Sequence, residues 1–266
     1  MRPTTLVSRG GTGFFSCCSV RLMCLVEYVN EWNTIPDSVD SSGSFQWYKP
    51  KDDPGDVTFD YFINPAVAPL TLPSRPVSFH HGHQFRDYRT LDFQGTVPLV
   101  NRFFSPSEDI QRRIAFLEGK YNLEDYSNVC TLFYRGNDKA TETLLPKYLD
   151  YLKFADKLRQ SNPNIRFLVQ SDETEFIELM TRAFPTAFLF KDEIRHIKKQ
   201  ISTVDIIHAD QNSEFSKWYL AITIIMSKTK TIICGDGNCS LWIALYRGHT
   251  KGMTVFNRGQ WNITPI

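Results

Sequence analysis

The sequence predicts an α/β protein of two small domains whose parallel sheets face one another across a cleft. Three observations predict it. A chain of 266 residues suits two compact units of roughly 110–150 residues each. In the second half, short apolar runs alternate with segments of helical period, the pattern of a parallel sheet covered by helices. In the first half, the glycine-rich turn Gly10-Gly11-Thr12-Gly13 joins a strand candidate to a helix, as in one βαβ unit. The expected division places one domain at residues 1–120 and the other at 121–266.

Residues 4–8 are the first strand candidate, and beyond the glycine turn Cys18, Leu22, Leu25, Val26 and Val29 recur at helical spacing. Residues 35–42 read as the strand that completes the unit, ended by Ser41-Ser42-Gly43. Residues 44–104 are rich in proline and aromatics with little periodicity, and predict loops with short strands. Ser105-Pro106-Ser107-Glu108 is a helix start: Ser105 can cap, Pro106 suits the first turn and Glu108 completes a capping box. That helix should run to about Lys120 and connect the domains.

The second half is more regular. Residues 129–134 form an apolar strand ending in Arg135-Gly136-Asn137-Asp138-Lys139. A helix follows from about Lys147, with Tyr148, Leu152, Ala155 and Leu158 on one face. Residues 165–170 are the next strand, after which Asp172, with Glu175 three residues on, is placed to cap a helix. Residues 186–190 and 204–208 read as strands and residues 215–226 as a buried helix. Residues 231–234 are a further strand, turning at Gly235-Asp236-Gly237-Asn238 into a helix through Trp242 and Leu245.

Composition narrows the function classes. Hydrophobic content of 42% and charged content of 22% are those of a globular protein with a sizeable core. With 30 basic and 29 acidic residues, bulk charge gives nucleic-acid binding no support. No apolar run approaches a membrane span, and the glycine turn after Arg2 and Arg9 interrupts any signal core. A cytosolic protein is expected, or a lumenal domain without its anchor. Cys17, Cys18, Cys24, Cys130, Cys234 and Cys239 lie in helix-like or strand-like runs or beside the last glycine turn. They read as free thiols of a reducing compartment, and no spacing among them reads as a zinc site. The sequons at Asn238 and Asn262 read as accidental.

Three strand-to-helix turns carry polar residues at a strand's carboxyl end: residues 135–139, 171–173 and 235–240. In a parallel sheet they converge on one edge, and together they supply a cation, a carboxylate and a glycine-rich helix start with free N–H groups. That set fits a nucleoside diphosphate, whereas any one turn alone reads equally well as a surface loop. The Gly10–Gly13 stretch lacks the third glycine of a dinucleotide fingerprint, and Phe14-Phe15 would crowd a pyrophosphate. His80, His81 and His83 lie in an irregular segment that cannot aim three ligands, so no metal is expected there. No Gly-x-Ser-x-Gly elbow occurs. The paired-carboxylate motif of metal-dependent sugar transfer is also missing from the strand ends, Asp52-Asp53 lying in a Pro/Gly loop.

Tyr134-Arg135-Gly136-Asn137-Asp138-Lys139, with Thr141-Glu142 after it, resembles the Arg-Arg-Thr-Asp-Lys…Thr-Glu motif of α1,6-fucosyltransferases and their nodulation-factor relatives. Protein O-fucosyltransferases are more distant cousins. Phe167-Leu168-Val169-Gln170-Ser171-Asp172-Glu173 resembles that family's strand ending in Ala-Thr-Asp-Asp. Residues 220–245, with Ser227-Lys228-Thr229-Lys230 and the 235–240 turn, resemble its last donor-binding motif. The likeness covers about residues 125–250 in the family's order.

The resemblance implies a GT-B-like fold of two Rossmann-like domains, with residues 1–120 on the acceptor side and 121–266 binding the donor. It implies transfer of fucose from GDP-fucose to a glycan or glycoconjugate, with inversion and without metal or cofactor. On this resemblance Arg135 faces the β-phosphate, Asp172 contacts the nucleoside, and Asn238, Cys239 and Ser240 offer donors to phosphate. Gly13, Lys139, His208 and Gly237 complete the expected donor set. Asp138 and Glu142 join Arg135 as catalytic candidates, with His81 a further candidate base. The chain departs from the motif at Gly136 and Asn137, where the family has arginine and threonine. A non-catalytic binding protein of the same fold and a transferase of another GDP- or UDP-sugar are the alternatives, with a Rossmann oxidoreductase opposed by the broken fingerprint.

Overall fold

The computed structural model describes residues 3–51, 53–63 and 70–266; Met1, Arg2, Asp52 and residues 64–69 lie outside the described residues. In chain order the elements are β1 (Thr5–Val7), α1 (Phe14–Trp32), β2 (Ser38–Asp40), α2 (Thr58–Tyr61), α3 (Phe93–Phe103) and α4 (Glu108–Lys120). There follow β3 (Val129–Tyr134), α5 (Tyr148–Ser161), β4 (Arg166–Ser171), α6 (Thr174–Ala183), β5 (Ala187–Phe188) and α7 (Val204–Ile207). The chain ends with α8 (Asn212–Lys228), β6 (Thr231–Gly235), α9 (Asn238–Arg247), β7 (Met253–Asn257) and β8 (Gln260–Ile263). Short 3-10 turns occur at Gln46–Tyr48, His81–Phe85, Tyr88–Thr90, Asn137–Thr141 and Ala209–Gln211.

Every residue of β3 is buried, as an uninterrupted apolar run requires of a central parallel strand covered on both faces. It lies between β4 and β6 in a six-stranded sheet of order β5-β4-β3-β6-β7-β8. All neighbours are parallel except the final hairpin of β7 and β8. That hairpin turns through Arg258 and Gly259, both at positive φ (50° and 83°), the conformation that suits the twist of a tight hairpin. β1 and β2 pair in parallel as a separate two-stranded sheet around α1. The architecture is α/β with parallel sheets, consistent with a GT-B-like fold.

One apolar core runs through the molecule. Phe14, Phe15, Leu22 and Leu25 of α1 belong to the same buried cluster as Leu132 of β3, Ile232 of β6 and Trp242 of α9. α8 is buried from Leu220 to Ser227 and packs against both α4 and α9. Its exposed flank meets α4 through Arg113, which reaches Glu214 at 2.7 Å and lies 4.5 Å over the Trp218 ring. No helix among the described residues is long and apolar enough to cross a membrane.

Four local expectations are corrected. Residues 44–104 hold the eleven-residue helix α3 and several 3-10 turns; Pro98 inside α3 interrupts its helical signature. Ser107, not Ser105, caps α4 by accepting from Ile110 N, while Ser105 Oγ donates back to Asn101 O. Residues 204–208 are not a strand: Thr203 accepts from Asp205 N and starts the short helix α7. Asp172 does not cap α6, whose N-cap is Glu173 without a side-chain bond; both carboxyl groups are drawn toward the turn after β3.

Asp92 ties an otherwise irregular stretch to α3. Its carboxylate caps the helix at Gly95 N (3.0 Å), accepts from Ser78 N (3.1 Å), and receives both guanidinium nitrogens of Arg75 at 2.8 and 2.7 Å. The Arg75 hydrogen bonds hold its pKa down, from 3.8 to about 2. Asp92→Ala should therefore lower stability by roughly 1–2 kcal/mol in urea denaturation at neutral pH. A depressed carboxylate contributes fully above its unfolded pKa and loses that contribution as pH falls. The difference between wild type and variant should accordingly shrink as pH drops from 3.8 to about 2.

Candidate functional site

From β3 the chain moves to one side of the sheet through β4 and β5, then returns to the other side of β3 at β6. At such a switch point the loops leaving the two central strands part and open a crevice beyond their carboxyl ends. Here the turns after β3 and β6 bound a cleft of about 200 Å³, closed on the far side by the start of α1.

Two helix N-termini open onto this cleft; neither N-cap residue makes a side-chain bond and neither first turn holds an acidic residue, although the Tyr48 hydroxyl takes the Phe14 N–H of α1. Gly13 precedes α1, and Gly237 precedes α9 at φ +132°, a conformation that side-chain-bearing residues rarely adopt. Tyr88 fixes Gly237 by accepting from its N–H (3.1 Å) and donating to its carbonyl (3.0 Å). Gln84 adds contacts to the Gly237 N–H through its carbonyl (3.1 Å) and to Asn238 Nδ2 through its side chain (3.0 Å). The two helices are also joined, since Trp242 Nε1 donates to Ser19 Oγ (3.0 Å) and Ser19 Oγ donates to Asn238 Oδ1 (2.8 Å). First-turn N–H groups lack intrahelical acceptors and carry the positive end of the helix dipole. Two such ends in one crevice make a place for an anion.

Arg135 and Lys139 supply full charges on the same wall. Arg135 is 24% exposed; its Nη2 donates to Asp138 Oδ1 at 3.1 Å, and its Nε lies 3.1 Å from Asp172 Oδ2 in a geometry too poor for a hydrogen bond. Burial opposes its charge, but Asp172, Tyr219 and Asp138 together outweigh burial and raise its pKa further. Lys139 Nζ contacts Glu142 Oε2 at 2.5 Å and stands 4.8 Å over the Phe85 ring. Asp205 also lines the cleft, but is held from outside by Arg195 Nη2 at 2.7 Å. Burial raises the pKa of Asp236 against the opposing hydrogen bond from Asn257, and pushes the Cys239 thiol up to about 11. The cysteine beside the α9 N-terminus is thus an uncharged thiol at neutral pH.

The turn that carries Arg135 is clamped from β4. Gly136 N donates to Asp172 Oδ1 (2.9 Å), Asn137 N to Glu173 Oε1 (2.8 Å), and Asn137 Nδ2 to the Asp172 carbonyl (2.8 Å). Tyr148 OH donates to the other Glu173 oxygen. Glu173 is fully buried, and a Cβ at Gly136 would overlap its carboxyl group and come within 2.7 Å of the Tyr134 ring. This accounts for the glycine where the fucosyltransferase motif has a second arginine: the space is filled by Glu173. Burial raises the Asp172 pKa, with Arg135 and the Gly136 N–H opposing.

Gly13, Arg135, Asp138, Lys139, Glu142, Gly237, Asn238, Cys239 and Ser240 are brought together on the cleft. Asp172 stands behind Arg135 in a second, smaller cavity of about 40 Å³. His208 lies on neither, and its carbonyl accepts from Arg195. His81 is exposed beside Met23, while His80 and His83 close a capping box around their own 3-10 turn. The cleft adds residues that sequence reasoning did not single out, among them Trp47, Gln84, Asp205, Tyr219 and Asp236. Asp236 lay inside a recognised turn; the others reach the site only through contacts distant in sequence.

The fold is similar to solved structures of a bacterial fucosyltransferase. A crystal structure of NodZ α1,6-fucosyltransferase soaked with GDP-fucose aligns with TM-score 0.53 and 14% identity, over 99% of this chain and 100% of that one. Fucosyltransferase NodZ from Bradyrhizobium aligns with TM-score 0.54 and 13% identity, over 98% of each chain. NodZ co-crystallised with GDP aligns with TM-score 0.53 and 14% identity, over 100% of this chain and 99% of that one. No protein-family model matches the sequence, and no curated protein matches it. At these identities the likeness establishes the fold.

The clamp makes a specific prediction. Gly136→Ala should cost roughly 2–3 kcal/mol of stability by chemical denaturation, because the added methyl must displace a buried, hydrogen-bonded glutamate. Gly119→Ala, at a position where a Cβ meets nothing within 4 Å, should not destabilise and serves as control.

Proposed function

We propose that this protein is a glycosyltransferase that binds a nucleotide-diphosphate sugar, GDP-fucose foremost, in the cleft. Residues 121–266 bind the donor and residues 1–120 form the acceptor side. One observation carries the proposal: at the sheet's switch point, two helix N-termini, Arg135 and Lys139 border a single crevice. Such a set suits a diphosphate, which needs several N–H donors and fixed positive charge within a few ångströms. The NodZ structures soaked with GDP-fucose and co-crystallised with GDP support the choice of donor.

The chemistry follows from where charge develops. As the bond between sugar and β-phosphate breaks, negative charge grows on the phosphate, and groups already aimed there favour the transition state over the ground state. Arg135 suits this task because Asp172 and Asp138 hold its guanidinium in advance. Lys139 and the α9 N–H groups share the charge, so transfer proceeds without a divalent metal. The acceptor hydroxyl attacks the face of the sugar opposite the diphosphate and inverts the anomeric centre. Glu142 takes its proton, a role supported by its 44% exposure on the cleft; Asp138 is the alternative. All six cysteines are free, which supports a cytosolic setting. The chain's glycine at position 136 favours one competing reading, a nucleotide-binding protein of the same fold without transferase activity.

GDP should raise the melting temperature more than UDP; a ligand at 100 times its Kd stabilises by roughly 2.7 kcal/mol, well within reach of a thermal-shift assay. Equal or absent responses would remove the donor assignment. Arg135→Ala should lower turnover by about 10²–10³ while GDP affinity falls much less, and Arg135→Lys should restore little, because an ammonium cannot form two parallel bonds to phosphate. Near-full transfer by a folded Arg135→Ala enzyme would refute this mechanism. Activity should survive chelators; loss reversed by manganese would contradict the metal-free route.

A further inference from the structure

Donor binding explains the cationic edge of the cleft but leaves Trp47 unused. This indole is 39% exposed on the cleft wall, and among the described residues it makes no hydrogen bond or ring contact. A large aromatic left open inside a crevice forgoes the burial that would otherwise stabilise the fold.

The turn that presents it is held rigidly. Phe45, two residues before, is at φ +58°, a left-handed conformation uncommon for a bulky residue, while its ring is fully buried against Phe14 and Tyr61. Tyr48, immediately after, is 2% exposed; its hydroxyl accepts from Phe14 N (2.7 Å) and donates to Asp205 Oδ2 (3.0 Å). With Phe45 and Tyr48 locked into the core, the exposed pair Gln46-Trp47 between them is turned outward. Around the same cleft stand Asp138, Glu142 and Asp205, carboxylates that would repel a diphosphate, and the neutral amide of Gln84. An apolar plane beside several hydroxyl-binding acceptors matches one chemistry well: a pyranose ring, with C–H bonds on its face and hydroxyls around its edge.

We infer that Trp47 is the platform on which a pyranose of the acceptor stacks. The inference deepens the transferase reading and rests on it for the word acceptor, but the sugar site itself can be tested without turnover. The full chain would be mixed with cellobiose, chitobiose, lactose and a serine-containing peptide, with and without GDP, and followed by saturation-transfer NMR. At least one disaccharide should receive saturation on its ring C–H protons, and the peptide should receive none. Trp47→Ala should weaken that disaccharide about tenfold or more, and Trp47→Phe by only a few-fold. GDP stabilisation should be unchanged in both variants.

Failure of GDP to stabilise the wild type, with Trp47-dependent disaccharide binding intact, would end the donor assignment and leave the sugar site standing. The inference is overturned if no disaccharide binds the wild type, or if Trp47→Ala binds it equally. It is also overturned if Trp47→Ala loses GDP, since the indole would then stack the nucleobase. Should Trp47→Ala fold poorly, the Trp47 ring resonances, assigned by comparison with Trp47→Phe, must shift on adding the disaccharide; unmoved resonances refute the inference.

Discussion

The cleft depends on a contact between neighbouring strands: two consecutive acidic residues at the end of β4 receive the backbone of the turn that leaves β3. A strand fixes its own residues through ladder hydrogen bonds, but the first residues beyond it have no such partners. Asp172 and Glu173 supply them. Asp172 serves twice, binding the Gly136 N–H with one oxygen and lying against the Arg135 guanidinium with the other. The orientation of the cation is thereby set by the sheet, and a charge prepared in this way needs little reorganisation when an anion arrives. Two adjacent carboxyl groups away from solvent are costly alone; here Glu173 accepts from Asn137 N and the Tyr148 hydroxyl, while Asp172 has the Gly136 N–H on one oxygen and the Arg135 charge beside the other.

The other half of the cleft comes from a part of the chain with few regular elements. α1 lies on α9 through the buried Ser19–Asn238–Trp242 chain, and Tyr88 and Gln84 tie the 3-10 turns to Gly237. The N-terminal region is thus built into the same core as the large sheet. Regular structure there is concentrated in α1 and α3, and the intervening chain is held by single polar anchors such as Asp92 and Asp56.

What could be read in advance follows the range of the interactions involved. The apolar run of β3 and the Gly-Asp-Gly turn before α9 were legible because central parallel strands and helix starts leave local signatures. The pattern at residues 204–208 misled because Val204, Ile206 and Ile207 look like a strand, whereas Thr203 caps a helical turn there. Pro98 concealed α3, and two serines two residues apart made the start of α4 ambiguous until Ser107 proved to hold Ile110 N. The final hairpin had a signal in Arg258-Gly259, weak because arginine at positive φ is unusual. Within the site, Arg135 and the α9 turn were legible from motif and position. Gln84, Tyr219 and Trp47 were not, since no local pattern in their own segments points to the cleft that they line.

Gly136 and Glu173 form a lock with no inexpensive first step. Enlarging residue 136 while Glu173 remains drives a side chain into an occupied space. Removing Glu173 first strands the Asn137 N–H and the Tyr148 hydroxyl without their acceptor. Each single change passes through a poorer fold, although the double change could yield a well-packed protein, so the two positions are expected to be strongly epistatic. The glycine at position 136 is then a commitment made by packing, whatever group the cleft receives.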